Sequence, residues 1–280
     1  MHQLVSTFFG ISTLLYLLAM VVYISYIFFK NKVVGSIATG ITIIGLIIHT
    51  AALTLRTVES YQLGIFQPPF TSGYSSMVFF PWAIIFVYLI IEFIYKQKVI
   101  GAVVTPVAFL CLASASLLFP TKIESLVPAL QSNWLIGHVV TCFLGYAAFA
   151  VAFGISILYL IKANIEKNGQ IKEVNSSLPS SVVLDDLSYK AIAIGYPLLT
   201  IGIITGAAWA HRAWGRYWGW DPKETWSLIT WFIYTGYLHV RYSKGWHGKT
   251  MAIFSILGFL AVLFTYFGVN LLLRGLHSYA

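Results

Sequence analysis

Long apolar runs alternate with short polar segments along the whole chain, and most of the runs are longer than the core helices of a soluble domain. A hydrocarbon layer of about 30 Å is crossed by about 20 helical residues. By that measure the runs predict eight membrane-spanning helices, at 6–29, 33–55, 76–95, 99–118, 135–161, 190–210, 225–240 and 250–273. We therefore predict an all-α, polytopic membrane helix bundle that forms a single integral membrane domain over residues 1–280.

Composition supports this class. Of the 280 residues, 59% are hydrophobic and 9% are charged, whereas about a quarter are charged in an average soluble domain. A disordered chain, a secreted disulfide scaffold and an ordinary cytosolic enzyme are excluded. The first run is too long for a signal-peptide core, so we expect it to stay as a span. Cys111 and Cys142 lie in apolar runs without metal spacing and are expected to be buried thiols.

The net charge of +8 is unevenly divided between the two sides of the predicted membrane. Eleven basic residues occupy one set of loops and six occupy the other. The larger set is Lys30, Lys32, Lys96, Lys98, Lys162, Lys167, Lys172, Lys190, Arg241, Lys244 and Lys249. Positive loops face the cytoplasm or its organellar equivalent. Both termini and the loops 56–75, 119–134 and 211–224 are then predicted to be extracytoplasmic, and the polar loop 162–189 is predicted to be a flexible cytoplasmic linker. Because membrane orientation accounts for the basic residues, we expect no nucleic-acid partner.

Tryptophan is concentrated in one segment. Six of the nine tryptophans fall in Trp209–Trp231, which we call the tryptophan segment. Tryptophans that only anchor a protein at headgroup depth populate both membrane interfaces. Here Trp82 and Trp134 also lie at predicted outer ends, and only Trp246 is clearly inner. A one-sided cluster of this density favours a ligand-binding surface over an aromatic belt.

The local structure of the tryptophan segment can be predicted in part. Asp221 is a suitable helix N-cap, Pro222 suits the first helical position and Glu224 suits the third. We predict that the seventh span begins there. Gly215 and Gly219 precede this start and permit a turn or a close backbone approach.

The aromatic side chains predict a flat apolar surface just outside the membrane. Trp214 and Trp218 are four residues apart and share a face if that piece is helical. Three cations edge the surface: Arg212, Arg216 and Lys223. A large planar ligand with carboxylates suits such a surface, because rings stack and cations pair with acids. A porphyrin has these properties, but a quinone or a lipid headgroup also fits the chemistry.

Two histidines are predicted at the same outer interface. His138 lies near the outer end of the fifth span, and His277 lies a few residues beyond the eighth. Neutral imidazoles on opposite sides of one iron form a six-coordinate haem site. The residues alone leave open that these are two unrelated interfacial histidines. His211 lies beside the tryptophans and is expected mainly to cap the sixth span.

His49 and His239 lie within predicted spans, where ionisable residues are functional candidates. At 1.5 Å per residue, His49 lies roughly 9 Å and His239 roughly 21 Å below the outer surface. Two trans ligands of one metal lie about 4 Å apart, so this pair does not share an iron unless a helix is strongly tilted. If His239 binds iron, a second chain is expected to supply the other ligand. His49 is expected to pack, or to support the outer site from below.

These residues also carry a resemblance. The run WGRYWGWDPKETWSLITW, followed by YLHVR and then by YFGVNLLLRGLHSY, resembles the haem-handling proteins of cytochrome c maturation. It is most similar to the CcsA/ResC type of the two-component system II, a family defined by an external "WWD" loop. The resemblance is strong from His138 to the C-terminus and weaker in residues 56–82.

The resemblance implies a set of haem ligands. In this family two external histidines flank the WWD loop and bind iron, and they match His138 and His277. A membrane-embedded histidine after the loop matches His239, and its partner ligand comes from a second subunit. Trp214, Trp218, Trp220 and Trp226 are then expected to shield the haem, with Asp221 in the same motif. Arg212 and Arg216 are expected to hold the propionates.

The resemblance also implies a role. Such proteins carry haem b as cargo across a bacterial cytoplasmic or thylakoid membrane, with a partner subunit that has a large extracytoplasmic domain. They present reduced haem to apocytochrome c, whose CxxCH thiols add to the haem vinyl groups. Holocytochrome c synthase activity is expected, if at all, only with the partner. The alternatives are a haem exporter or chaperone without ligation activity, and a b-type redox subunit. The last predicts paired intramembrane histidines at equal depth, which the sequence lacks.

Overall fold

A computed structural model describes residues 1–65, 68–168, 178–273 and 275 of the chain. Within these ranges the regular structure is entirely helical, which confirms the all-α prediction. The long helices are α1 (His2–Phe29), α2 (Lys32–Gln62), α3 (Gly73–Tyr95), α4 (Gly101–Leu118), α5 (Asn133–Asn168), α6 (Ser181–Trp214), α7 (Pro222–Lys244) and α8 (Lys249–Leu263). A π-helical turn, Phe264–Gly268, joins α8 to the short α9 (Val269–Leu272).

Seven of the described helices are long and apolar enough to cross a membrane: α1 to α6, and α8 with its π-helical turn. The predicted span 225–240 does form a helix, α7, but it falls short of the apolar character of the others. Its sequence places hydroxyl side chains and His239 among the apolar positions. The helix bundle is therefore as predicted, while α7 is amphipathic rather than uniformly apolar.

The polar segment 162–189 is not a loop throughout, which corrects the prediction of a flexible linker. Helix α5 continues to Asn168 and α6 already begins at Ser181. Ion pairs one turn apart stabilise both extensions, since Lys162 lies 3.7 Å from Glu166 and Lys190 lies 2.7 Å from Asp186. Residues 169–177 lie outside the described part of the chain.

The chain divides into two compact units, a division that the sequence pattern did not indicate. The first comprises Met1–Leu126 and Ile161–Ser180, and the second comprises Val127–Leu160 and Ser181–Ala280. The tryptophan segment and His138 both belong to the second unit.

The first unit encloses a buried carboxylate, Glu92 of α3. Tyr23 donates to its Oε2 at 2.9 Å, and Tyr88 donates to the same oxygen. The hydroxyl of Thr39 lies 2.5 Å from Oε1. Three hydroxyl groups thus satisfy a polar side chain whose burial without partners would destabilise the fold.

Glycines allow α5 and α6 of the second unit to approach closely. A Cβ on Gly145 would lie 3.1 Å from the carbonyl oxygen of Gly195, and a Cβ on Gly195 would lie 2.7 Å from the ring of Phe149. Phe149 in turn stacks on Tyr234 of α7, with ring centroids 3.6 Å apart. Small residues at helix contacts are typical of membrane bundles, where close packing holds helices together.

Candidate functional site

Helix α7 begins at the predicted residue, and its start fixes the end of the tryptophan segment's loop. The Asp221 side chain accepts a hydrogen bond from the Lys223 amide at 3.1 Å, and Glu224 accepts one from the Asp221 amide at 3.2 Å. These contacts complete the predicted capping box. Glu224 also accepts from the Gly219 amide at 2.7 Å. The loop backbone is therefore tied to the first turn of α7.

The loop itself is short, because α6 ends at Trp214 and α7 starts at Pro222. Trp214 and Trp218 consequently do not lie on one helix, so the condition for a shared helical face is not met. Trp218 instead packs edge-to-face on Trp220, with centroids 5.7 Å apart. Trp220 has a φ of 57° and is 69% exposed. A bulky residue in this left-handed region is strained, and such strain is typical of functional sites.

Trp209 connects this segment to His138. The indole of Trp209 is buried, and its Nε1 donates to the carbonyl of Leu130 at 3.1 Å. Its ring lies nearly parallel to the His138 imidazole, with an angle of 14° and centroids 6.0 Å apart. It also packs edge-to-face on Trp214 at 5.1 Å. The sequence placed Trp209 in the cluster but gave no sign of this connecting role.

The protonation of His138 follows from its hydrogen bond. Its Nδ1 lies 2.7 Å from the carbonyl oxygen of Gly202 on α6. A carbonyl oxygen only accepts, so Nδ1 carries a proton, and in the neutral imidazole Nε2 then carries the lone pair. A histidine that binds metal usually donates its other ring N–H to a carbonyl or carboxylate in this way. The structure therefore holds His138 in a tautomer suited to iron ligation through Nε2.

The two histidines that lie within predicted spans differ in their surroundings. His49 is fully buried; its Nε2 donates to the Val78 carbonyl at 2.9 Å, and its Nδ1 accepts from the Tyr16 hydroxyl, 3.1 Å away. Both nitrogens have protein partners, so the geometry does not favour His49 as a haem-binding residue and fits the expected packing role. His239 is exposed on α7, with Nδ1 3.5 Å from the Ser243 hydroxyl.

The end of the described chain lies against the start of α7. A Cβ on Gly275 would lie 2.4 Å from the Oδ1 of Asp221. The Lys223 ammonium donates to the side chain of Asn270 at 2.8 Å. His277, the second predicted outer ligand, lies outside the described residues.

The π-helical turn after α8 contacts the remaining predicted tryptophan. Trp226 packs on Phe264, with ring centroids 4.1 Å apart. The hydroxyls of Thr230 and Thr265 are 3.1 Å apart. Interruptions of this kind in a helix are frequent at functional sites, and here the turn positions the segment that leads to Asn270.

The predicted cationic edge consists of two exposed groups and one enclosed group. Arg212 and Arg216 are exposed, and the Arg216 guanidinium lies against the backbone of Gly219, where a Cβ would approach it to 2.7 Å. Lys223 is more enclosed than either arginine. Burial lowers the pKa of Lys223 to about 8, although the nearby Asp221 carboxylate acts in the opposite direction.

The lowered pKa of Lys223 predicts a dependence of stability on pH. Between pH 8 and the ordinary value of 10.5, the unfolded chain binds this proton more strongly than the folded chain, so stability rises with pH. Relative to a Lys223→Met variant, the wild type should gain on the order of 2 kcal/mol across that range. Unfolding of both proteins in detergent at pH 7 to 11 measures the difference; parallel curves would contradict it.

Fold and site together define a class: a polytopic membrane protein with a capped, tryptophan-rich loop beside a pre-oriented imidazole. The family described as Cytochrome C assembly protein matches residues 71–277. The chain belongs to this family and is an integral membrane protein of cytochrome c biogenesis.

Relatives named cytochrome c biogenesis protein CcsA resemble it over most of its length. The protein of Pyropia yezoensis is 40% identical over 94% of this chain and 93% of the relative. The protein of Guillardia theta is 40% identical over 96% of this chain and 94% of the relative. That of Prochlorococcus marinus is 40% identical over 75% of each chain.

A solved structure named Cytochrome c Heme Lyase CcmF has a similar fold. The TM-score is 0.69 and the identity is 19%, with 98% of this chain and 47% of that chain covered. At this identity the likeness concerns the fold, and this chain spans about half of the larger protein's length.

Proposed function

We propose that this chain binds haem b as cargo at its tryptophan segment and presents it, reduced, for covalent attachment to apocytochrome c. The observation that carries the proposal is the hydrogen bond from His138 Nδ1 to the Gly202 carbonyl. It directs the lone pair to Nε2, the nitrogen that would bind iron, in a protein of a cytochrome c assembly family.

His277 is the second axial ligand in this proposal. Its support is the position of Gly275, two residues earlier, against Asp221 in the tryptophan segment. Two residues of chain span about 7 Å at most, so the sequence position of His277 is compatible with a place beside this segment. Imidazoles at both axial positions hinder oxygen from reaching ferrous iron.

The remaining residues of the segment would hold the porphyrin. Trp214, Trp218, Trp220 and Trp226 offer ring faces and edges, and Asp221 fixes their loop through the capping box. The exposed guanidinium groups of Arg212 and Arg216 are suited to the propionates. In the attachment step each thiol S–H adds across a vinyl C=C, so that the sulfur and the hydrogen bond to its two carbons without net oxidation. The chain contributes positioning.

His239 would receive haem from the cytoplasmic side before it reaches the outer site. Its exposure on α7 supports this role, because a second ligand can approach it from outside the chain. In the proposal that ligand comes from a partner membrane subunit with a large extracytoplasmic domain. The membrane would be a bacterial cytoplasmic or thylakoid membrane, with the tryptophan segment on its extracytoplasmic face.

The proposal is tested by reconstitution. The chain is purified with and without its partner, loaded with reduced haem and mixed with a CxxCH peptide; an SxxSH peptide is the control. We expect mass spectrometry to find thioether-linked haem with the complex and the CxxCH peptide alone. Haem that binds but is attached by neither preparation would contradict ligation and favour the export alternative.

A further inference from the structure

The His138 ring rests on bare backbone of the neighbouring helix. A Cβ on Gly206 of α6 would lie 2.6 Å from Nδ1 and 2.7 Å from Cε1 of the imidazole. Real Cβ atoms do not approach other atoms to less than 3.0 Å. Any side chain at Gly206 would therefore displace the ring or push the helices apart.

One turn before Gly206, Gly202 supplies the hydrogen-bond acceptor. Its carbonyl accepts from His138 Nδ1 at 2.7 Å. The space where its own Cβ would stand is taken by Cys142, whose Sγ would be 2.5 Å away. Cys142 lies one turn after His138 on α5, and its Sγ is 3.7 Å from Nδ1. The two glycines thus bring the imidazole close enough to α6 to bond a main-chain carbonyl.

A third contact orients the plane of the ring. Trp209 lies nearly parallel to the imidazole, and its own position is fixed by the hydrogen bond to the Leu130 carbonyl. The backbone and the indole of α6 and the sulfur of α5 therefore surround His138. Ligands held in this way before the metal arrives lose less freedom on binding.

We infer that Gly206 is a positioning residue for the His138 ligand. Because Gly206 has no side chain, the imidazole lies directly against α6, donates Nδ1–H to Gly202 and keeps Nε2 as the ligating nitrogen. The consequence for haem rests on the proposed function, whereas the steric coupling between Gly206 and His138 does not. The two can therefore be tested separately.

The coupling is tested by a double-mutant cycle without haem. Gly206→Ala should lower the Tm of the detergent-solubilised protein by roughly 5 °C, the effect of an overpacked contact. In a His138→Ala background the same change should have almost no effect, because the clashing ring is gone. Gly137→Ala is the matched control, since a Cβ there meets nothing within 4 Å. Equal destabilisation in both backgrounds, or none in the wild type, would overturn the inference.

The consequence for haem is read from the absorption spectrum of the chain with its partner. Gly206→Ala should lower the low-spin, bis-imidazole fraction roughly tenfold, as loss of ligand orientation does, and added imidazole should restore it. Gly137→Ala should keep the wild-type spectrum. A wild-type low-spin spectrum that persists in Gly206→Ala overturns the inference. If the wild type itself lacks the low-spin spectrum, the proposed function is contradicted. The double-mutant cycle then still tests whether Gly206 and His138 are in steric contact.

Discussion

Replacing His138 with alanine should remove low-spin haem from the outer site and lower the yield of covalent cytochrome roughly 100-fold. Loss of a residue that only orients a metal ligand lowers metal affinity or activity by about 10- to 100-fold, and this variant removes the ligand itself. The methyl group of alanine leaves one axial position of the iron open to oxygen. The haem content, the spectrum and the yield of thioether product are measured on the complex with its partner.

The matched control is His211→Ala. His211 lies at the end of α6 near the same tryptophans, but it is exposed and stacks on Tyr217, with centroids 4.2 Å apart. Its replacement should leave the spectrum and the yield unchanged. If His138→Ala keeps a reduced bis-imidazole spectrum, or if both variants lose it equally, then His138 is not an axial ligand.

The largest effect on stability is expected at a buried ion pair between α6 and α7. Arg241 lies 2.6 Å from Asp185, and their side chains are only 7% and 9% exposed. The Asp185 carboxylate also accepts from the Gly248 amide at 3.0 Å. Arg241→Ala leaves this carboxylate buried without its main partner, which should lower the free energy of unfolding by about 3–5 kcal/mol.

Lys244→Ala, at an exposed position on the last turn of the same helix, is the control and should change stability by less than about 0.5 kcal/mol. The double variant Asp185→Ala and Arg241→Ala should be less destabilised than Arg241→Ala alone, because no unpaired charge remains. Thermal unfolding in detergent measures all three. An Arg241→Ala variant as stable as the Lys244→Ala control would mean that the pair does not stabilise the unit.

Those parts of the fold that depend on local rules could be predicted from the sequence. A membrane requires long apolar helices, so length and hydrophobicity were enough to place eight helices, of which all but α7 are apolar enough to cross a membrane. The start of α7 was equally readable, because Asp221, Pro222 and Glu224 satisfy the free amides of a helix end through neighbours in sequence. The polar ends of α5 and α6 could not be predicted in this way, because their composition is typical of a linker. Their helical structure is evident only from the fold, where Lys162 pairs with Glu166 and Asp186 pairs with Lys190 one turn apart.

The candidate site depends on contacts between distant residues, and these could not be predicted. Nothing local to His138 indicates that its ring will lie on Gly206, 68 positions later, or that Trp209 will stack on it. His49 shows the converse. An intramembrane histidine is a functional candidate from its position alone, but Tyr16 and the Val78 carbonyl already use both nitrogens of His49, which fits the packing role expected for it.

The central claim is that His138 and His277 bind one iron atom beside the tryptophan segment. The most direct measurement is an experimental structure of the haem-loaded chain with its partner subunit. We predict iron between the two imidazoles, with their nitrogens about 4 Å apart and the porphyrin against Trp214, Trp218 and Trp220. Haem bound elsewhere, or His277 on the other side of the membrane from His138, would contradict the claim.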